Sequence, residues 1–282
     1  MKKLNIVKIL IVISLSVSSI SAHAQWAVSV TAGSADYKLE AIEGTFVDAI
    51  DDTFLYRDLG IDYSWGNHQV GIKIGGLAES NGAIDIRSST AVAATVETGD
   101  AERDEMSVFY TYRTNIGVAL TGGYYTSEVT STRRFTANYT SGGFNGTFIQ
   151  NADKTVDNDG FFFGAAYGQA LSDRTGVYAR LGYQDSDVEE QINATRNNTI
   201  PVQAGVAAPI TSSATFTRSL DLGGDAVVYG VGGYWAVTDT ISLNLFYEVK
   251  DFSYSLDAYD DGGGVQLEEK QDMIGLTLRY SL

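Results

Sequence analysis

The chain has 282 residues, no cysteine, 44% apolar side chains and a formal net charge of −16 from 19 bases and 35 acids. That acid excess excludes nucleic-acid binding through a basic patch. Apart from a short N-terminal run, no stretch approaches the ~18 consecutive apolar residues of a membrane helix, so a helical membrane bundle is excluded as well.

Lys2, Lys3 and Lys8 precede the apolar run 9–17, and Ala22-His23-Ala24 supplies a small-x-small site. Residues 1–24 therefore read as a secretory signal peptide, with the mature protein, residues 25–282, beginning at Gln25. Loss of three lysines and no acids takes the net charge from −16 to −19. The absence of cysteine is compatible with export but does not require it.

Beyond Gln25 the dominant signal is alternation. Segments of period two bounded by turn residues predict ten strands, with eight or twelve as alternatives. Their approximate cores are 26–37, 54–65, 69–78, 105–113, 116–127, 159–170, 175–185, 226–237, 240–252 and 272–282. Four connections are tight: Gly66-Asn67-His68, Thr114-Asn115, Leu171 to Arg174, and Thr238-Asp239. Five are long: roughly 38–53, 79–104, 128–158, 186–225 and 253–271. Tight and long alternate, and both prolines, Pro201 and Pro209, fall in the fourth long one, outside every predicted strand.

The last strand carries the most specific pattern. Ile274, Leu276, Leu278, Tyr280 and Leu282 alternate with Gly275, Thr277, Arg279 and Ser281, and Leu282 is the last residue. An aromatic two positions before an apolar final residue resembles the assembly signal of bacterial outer-membrane β-barrels, of the OmpA-like and Opc-like kind. Leu282 departs from the usual phenylalanine. The resemblance covers the mature chain and implies an all-β, antiparallel up-and-down transmembrane barrel in the outer membrane of a Gram-negative bacterium. It also implies periplasmic termini and tight turns, long extracellular hairpins, and recognition of the last strand by the barrel-assembly machinery. It carries over no site residues. The competing fold is a soluble β-sandwich with buried tryptophans, which explains neither the apolar C-terminus nor the grouping of Trp26, Trp65 and Trp235 at one end of their strands.

The outward face is predicted to hold Trp26, Val28, Val30 and Ala32 on strand one, and Leu59, Ile61, Tyr63 and Trp65 on strand two. Strand nine adds Ile241, Leu243, Leu245, Tyr247 and Val249. Trp26, Trp65 and Trp235 form one aromatic belt, and Tyr124, Tyr183 and Phe161 the other. The inward face mixes three kinds of residue. Gly117, Ala119, Thr121, Gly164, Ala166, Gly168, Gly230 and Gly232 are small, whereas Phe109, Tyr178, Tyr234 and Phe246 are large. Asp62, Lys73, Arg113, Arg180, Glu248 and Arg279 form a luminal charge network. Paired, these charges would brace a filled barrel; unpaired, they would line a cationic constriction. Barrels of about eight strands are filled by side chains and those of 16 or more hold a channel, so ten strands favour the filled reading.

Most of the acids lie in the five long connections, which therefore form an acidic, solvated surface. Functional versions of that surface are contact with lipopolysaccharide, through divalent cations, or with a protein partner. Residues 130–139 and 214–222 are rich in β-formers, so several strands are expected to continue beyond the membrane. Asp257, Asp261 and Glu268 match positions one, five and twelve of a calcium loop, but Tyr259 occupies position three, where an oxygen ligand belongs. An acidic turn explains that spacing better, and no cofactor is implied.

The mature chain holds one histidine, His68, in a predicted periplasmic turn. Proteases, phospholipases and deacylases built on outer-membrane barrels use histidine at the opposite rim, so the sequence predicts a protein that is not an enzyme. The expected function is a surface or structural barrel with a mostly filled lumen. A narrow porin-like diffusion channel is the alternative, and an outer-membrane hydrolase stands behind both.

Overall fold

A computed structural model describes residues 25–282 except 44–45, 90–92, 142–143, 203–207 and 256–264. Ten antiparallel strands follow one another in a closed ring. They are β1 (Gln25–Glu43), β2 (Phe46–Trp65), β3 (His68–Ser89), β4 (Ala93–Arg113), β5 (Val118–Ser141), β6 (Phe144–Ala170), β7 (Thr175–Ile200), β8 (Ile210–Ala236), β9 (Ile241–Ser255) and β10 (Val265–Ser281). β10 closes on β1 in the register Ala27↔Ser281 to Glu43↔Val265, and the Leu282 amide donates to the Trp26 carbonyl at 2.8 Å. Closure leaves no unpaired sheet edge.

The four tight connections all lie at one end, with both ends of the ring-forming chain; we call this the turn end. Gly66 and Gly117 there take φ of +53° and +82°, a region open to glycine at little cost. β5 begins at Val118 rather than Ile116, so Gly117 belongs to the turn and not to the predicted inward set.

The strands are much longer than predicted, and the five long connections are largely strand. β6 and β8 have 27 residues each, whereas crossing a bilayer takes about 9–11. At ~3.3 Å per residue and a tilt near 40°, 27 residues climb roughly 65–70 Å, about twice the hydrocarbon thickness. The extra length belongs to the opposite, tall end. Pairing of β2 with β3 stops at Tyr56↔Leu77, and that of β8 with β9 at Gly223↔Ser255. Above those points the ring parts into two walls, one made by β3 to β8 and a shorter one made by β9, β10, β1 and β2.

Side-chain faces explain why the ring sits in a membrane over part of its height. Near the turn end the outward positions are apolar and exposed, among them Val30, Leu59, Phe161, Leu181, Val231, Leu245 and Ile274. An apolar belt running round a closed, edgeless sheet matches hydrocarbon and not water. Farther along each strand the pattern changes phase. In β1 the apolar residues are outward at Trp26, Val28 and Val30, then inward at Ala35, Tyr37 and Leu39. β8 runs from inward Leu220 and Leu222 to outward Val227, Tyr229 and Val231. β9 turns from outward Leu245 and Tyr247 to inward Phe252 and Tyr254. The inversion marks where lipid ends: below it the apolar side faces acyl chains, and above it the apolar side must find a core inside the ring. Val249 keeps its predicted outward parity but is buried, at a register position flanked by Tyr229 and Asp272.

The small and large inward residues interlock. Phe109 lies over Gly71, Phe162 over Gly123, Tyr178 over Gly232, Tyr234 over Gly176 and Phe246 over Gly275, in each case leaving no room for a Cβ on the glycine. Each ring faces its glycine directly across a strand pair. These five glycines are seats for rings; of the small residues predicted to face inward Gly232 is one, whereas Gly164 and Gly230 lie against the facing backbone.

Candidate functional site

The lumen near the turn end holds the six predicted charged residues, four of them in two ion pairs. Arg279 of β10 donates through Nη2 to Asp62 of β2 at 2.8 Å and through Nε at 3.3 Å. Arg180 of β7 is paired with Glu248 of β9. In both pairs the acid is buried and the arginine about one-third exposed, so the pairs border water inside the ring. Arg113 donates to Gln69 rather than to a carboxylate, and Lys73 is exposed to the luminal water. Asp62, Lys73, Arg113, Arg180, Glu248 and Arg279 thus share one chamber as two separate pairs and two further bases, not as one network.

Above this chamber lies a layer that the sequence reading missed. Tyr37, Leu39, Ile50, Phe54, Leu77, Ile84, Phe252, Tyr254, Leu267 and Met273, from both walls, are all less than 5% exposed and form one cluster. Inside it Arg103 is ion-paired to Glu269, each 2% exposed. Arg103 also donates to Glu105 at 2.8 Å and to Ser127 at 3.0 Å, and its guanidinium lies 5.8 Å from the Tyr37 ring centre and 5.9 Å from that of Phe252. Lys250 holds Glu105 from below at 3.2 Å. Asn158 donates to Tyr254 at 2.6 Å and accepts from Tyr125 at 2.9 Å. A buried pair survives only when its remaining donors and acceptors are met, and here Glu105, Ser127, Tyr254 and Gln271, from four strands, meet them. The cluster takes buried residues from all ten strands and lies between the turn-end chamber and the tall end. The phase inversion along β1, β8 and β9 was its signal in the sequence.

The tryptophans lie at the turn end on the outward face. Trp26, Tyr63 and Trp65 form a row with centroid distances of 4.9 and 5.7 Å, and Trp65 stacks on His68 at 5.4 Å. Trp235 is half exposed on β8. His68 Nδ1 is 2.7 Å from the Tyr110 hydroxyl, so the imidazole is part of an aromatic girdle, far from the tall end. At the other margin of the apolar belt Tyr124 packs edge-on to Phe161 at 5.4 Å, and Phe163 contacts Tyr183 at 5.4 Å.

Asp257 and Asp261, two of the three weak metal candidates, lie outside the described residues. Glu268 stands on β10, in register with Glu40, and not in a loop as the calcium spacing requires. Among the described residues no group of three or more metal-ligating side chains converges.

Just above the belt the outer surface carries a row of carboxylates. Asp104, Glu128, Asp157, Glu189 and Asp221 follow one another in direct register across β4 to β8. Like charges directly opposite repel. Partial burial, then the facing Asp157, holds the Glu128 carboxyl above its ordinary value.

No protein-family model matches the chain, and no characterised protein matches it by sequence. Solved structures do. The outer-membrane protease OmpT of Escherichia coli superposes with a TM-score of 0.57 over 94% of this chain and 99% of its own, at 11% identity. The fold is that of an outer-membrane β-barrel. The toluene transporter TodX of Pseudomonas putida (TM-score 0.33, 9% identity, 93% and 91% covered) is a more distant match. So is the attachment invasion locus protein Ail of Yersinia pestis (TM-score 0.24, 12% identity, 92% and 100% covered). These proteins have different roles, and at such identities they speak to the fold alone.

Proposed function

We propose that this protein is a non-enzymatic surface barrel of the outer membrane, closed to solutes, with its turn end in the periplasm and its tall end outside the cell. The observation that carries the reading is the buried layer around Arg103 and Glu269, because a ring filled from wall to wall at that height offers no continuous water path. The orientation rests on the difference between the ends: tight turns face the periplasm and tall hairpins the exterior in barrels of this architecture. OmpT is a protease, but His68 stacks at the turn end, away from where a tall-end active site would need a general base.

Planar-bilayer recording of the refolded protein tests closure. The expected result is no steady conductance step in wild type and steps in the double variant Phe252→Ala/Tyr254→Ala. Steady wild-type conductance, with a selectivity that changes on Glu248→Gln, would replace this reading with a narrow diffusion channel. A tag inserted at Asn67 should stay hidden on intact cells while one beside Asn198 is reached; the reverse pattern inverts the orientation.

A further inference from the structure

Among the described residues one charged side chain lies within the apolar belt on its lipid-facing side. Arg57 of β2 is exposed between Leu59 and Leu55, which face outward on either side of it along the strand and are 64% and 59% exposed. In direct register it is flanked by Ala32 of β1 and Gly76 of β3, both too small to cover it. Gly76 has φ of +147°, and a Cβ there would meet the Arg103 carbonyl, so that side of Arg57 stays open.

An arginine cannot shed its charge, and a guanidinium facing acyl chains is costly unless an anion meets it. The chain itself supplies none: among the described residues the Arg57 side chain has no ion pair and no hydrogen bond. The nearest acid along its row is Asp104, beyond Gly76 and two strands away, ~10 Å by strand spacing. Arg57 also has the opposite sign to the strands around it. Toward the tall end, the first outward charge is a carboxylate on β1 and on each of β4 to β10, as at Asp36, Asp104, Glu128, Asp185, Asp251 and Asp272. Such a rim repels lipid phosphates, so the lone base is where one is attracted. The outward bases higher on the same wall, Lys38 and Lys270, are already held by Glu40 at 2.7 Å and Asp272 at 3.1 Å.

We propose that Arg57 binds the phosphate of a membrane lipid on the outer surface of the barrel. The acyl chains would run toward the turn end past Leu59 and Ile74, which are opposite each other and both exposed. The planar guanidinium takes two phosphate oxygens at once, and the apolar surroundings strengthen that contact. Placing this lipid in the outer leaflet rests on the orientation proposed above; the contact itself does not, and vesicles with the same lipid in both leaflets test it separately.

Urea unfolding of the refolded barrel reads the contact in vesicles of phosphatidylcholine, whose phosphate already carries a choline cation, and in an equal mixture with phosphatidic acid. In phosphatidylcholine Arg57→Leu should be at least as stable as wild type, because it removes a charge from the lipid face. With phosphatidic acid the order should reverse. Native mass spectrometry from neutral detergent should show phosphatidic acid retained saturably by wild type and about tenfold more weakly by Arg57→Gln, the loss of one charge-assisted contact. Arg57→Lys should fall between them, since an ammonium offers charge without the planar fork. Diacylglycerol, which lacks the phosphate, should not be retained, and Asp104→Asn should not weaken retention of phosphatidic acid. The same difference between wild type and Arg57→Leu in both vesicles, equal retention by Arg57→Gln, or a loss in Asp104→Asn as large as in Arg57→Gln would overturn the proposal. Displacement of the lipid by inorganic phosphate would overturn it too, by reassigning the site to the free anion.

Discussion

Single side chains set the stability of the interior. Glu269→Gln leaves Arg103 buried without its main counter-charge and should cost about 3–5 kcal/mol, measured as a lower urea midpoint of the refolded barrel. Replacing the pair together, Arg103→Met with Glu269→Leu, should come close to wild-type stability, because the desolvation cost disappears with the charges. At Gly71 the ring of Phe109 occupies the space a side chain needs, so Gly71→Val should displace the ring and cost about 1–3 kcal/mol. On the outer surface Glu128 behaves in the opposite sense. Its folded-state value is raised by partial burial and by Asp157, so the folded state holds its proton more tightly than the unfolded chain. Its ionised form therefore opposes folding at neutral pH, and stability is gained as pH falls through the raised value, above the ordinary 4.5. Amide exchange in β5 and β6 should slow from pH 7 toward 5 in wild type, and less so in Glu128→Gln.

At the scale of the element, each strand is two strands in series. The part near the turn end shows its apolar side to lipid, and the part beyond shows it to the interior. Leu245 lies in the first part, outward and 57% exposed, so Leu245→Arg should cost about 2–4 kcal/mol near the bilayer midplane. Its neighbour Asn244 points inward and accepts from the Tyr178 hydroxyl at 3.0 Å, so Asn244→Ala should lose only one hydrogen bond, about 1 kcal/mol. Similar losses from both would mean that the faces of β9 are wrongly assigned. Shortening β7 and β8 above Val188 and Leu222 should leave a heat-modifiable barrel, because the ring below is closed by its own pairing. Failure of that variant to form a barrel would show that the tall wall is needed for closure.

For the whole molecule, the closed ring, the buried layer and the parted walls give three zones: a chamber at the turn end lined by partly exposed charges, a buried apolar layer, and two separate walls at the tall end. Charge follows the same division. The turn-end chamber pairs Arg279 with Asp62 and Arg180 with Glu248 at its wet margin, where partial exposure limits each pair to about 1 kcal/mol or less. The dry layer holds a fully enclosed pair, and the outer surface keeps its carboxylates in water. Denaturation should accordingly respond far more to Glu269→Gln than to Glu248→Gln, a ranking that paired urea titrations would read directly.

A strand number of ten and the position of the tight turns followed from alternation and turn chemistry, as did the faces of Trp26, Leu245 and Arg279, whereas ring closure was implied by the resemblance of the last strand to outer-membrane barrels. The period of two assigns a face to every strand residue without reference to any partner. Strand length did not follow in the same way: residues such as Thr130 to Tyr139 read as β-formers, but a polar outward face looks alike in a loop and in a strand beyond the lipid. The pairing of Arg103 with Glu269, 166 positions apart, depends on shear, which sets the height at which side chains from different strands meet. The inward row Gly99, Arg133, Ala152, Ala194 and Phe216 depends on register over five strands in succession. Alternation is a local property and is written in the chain; height and register are set by closure of the ring, so only the tertiary structure could decide which inward residues share a layer.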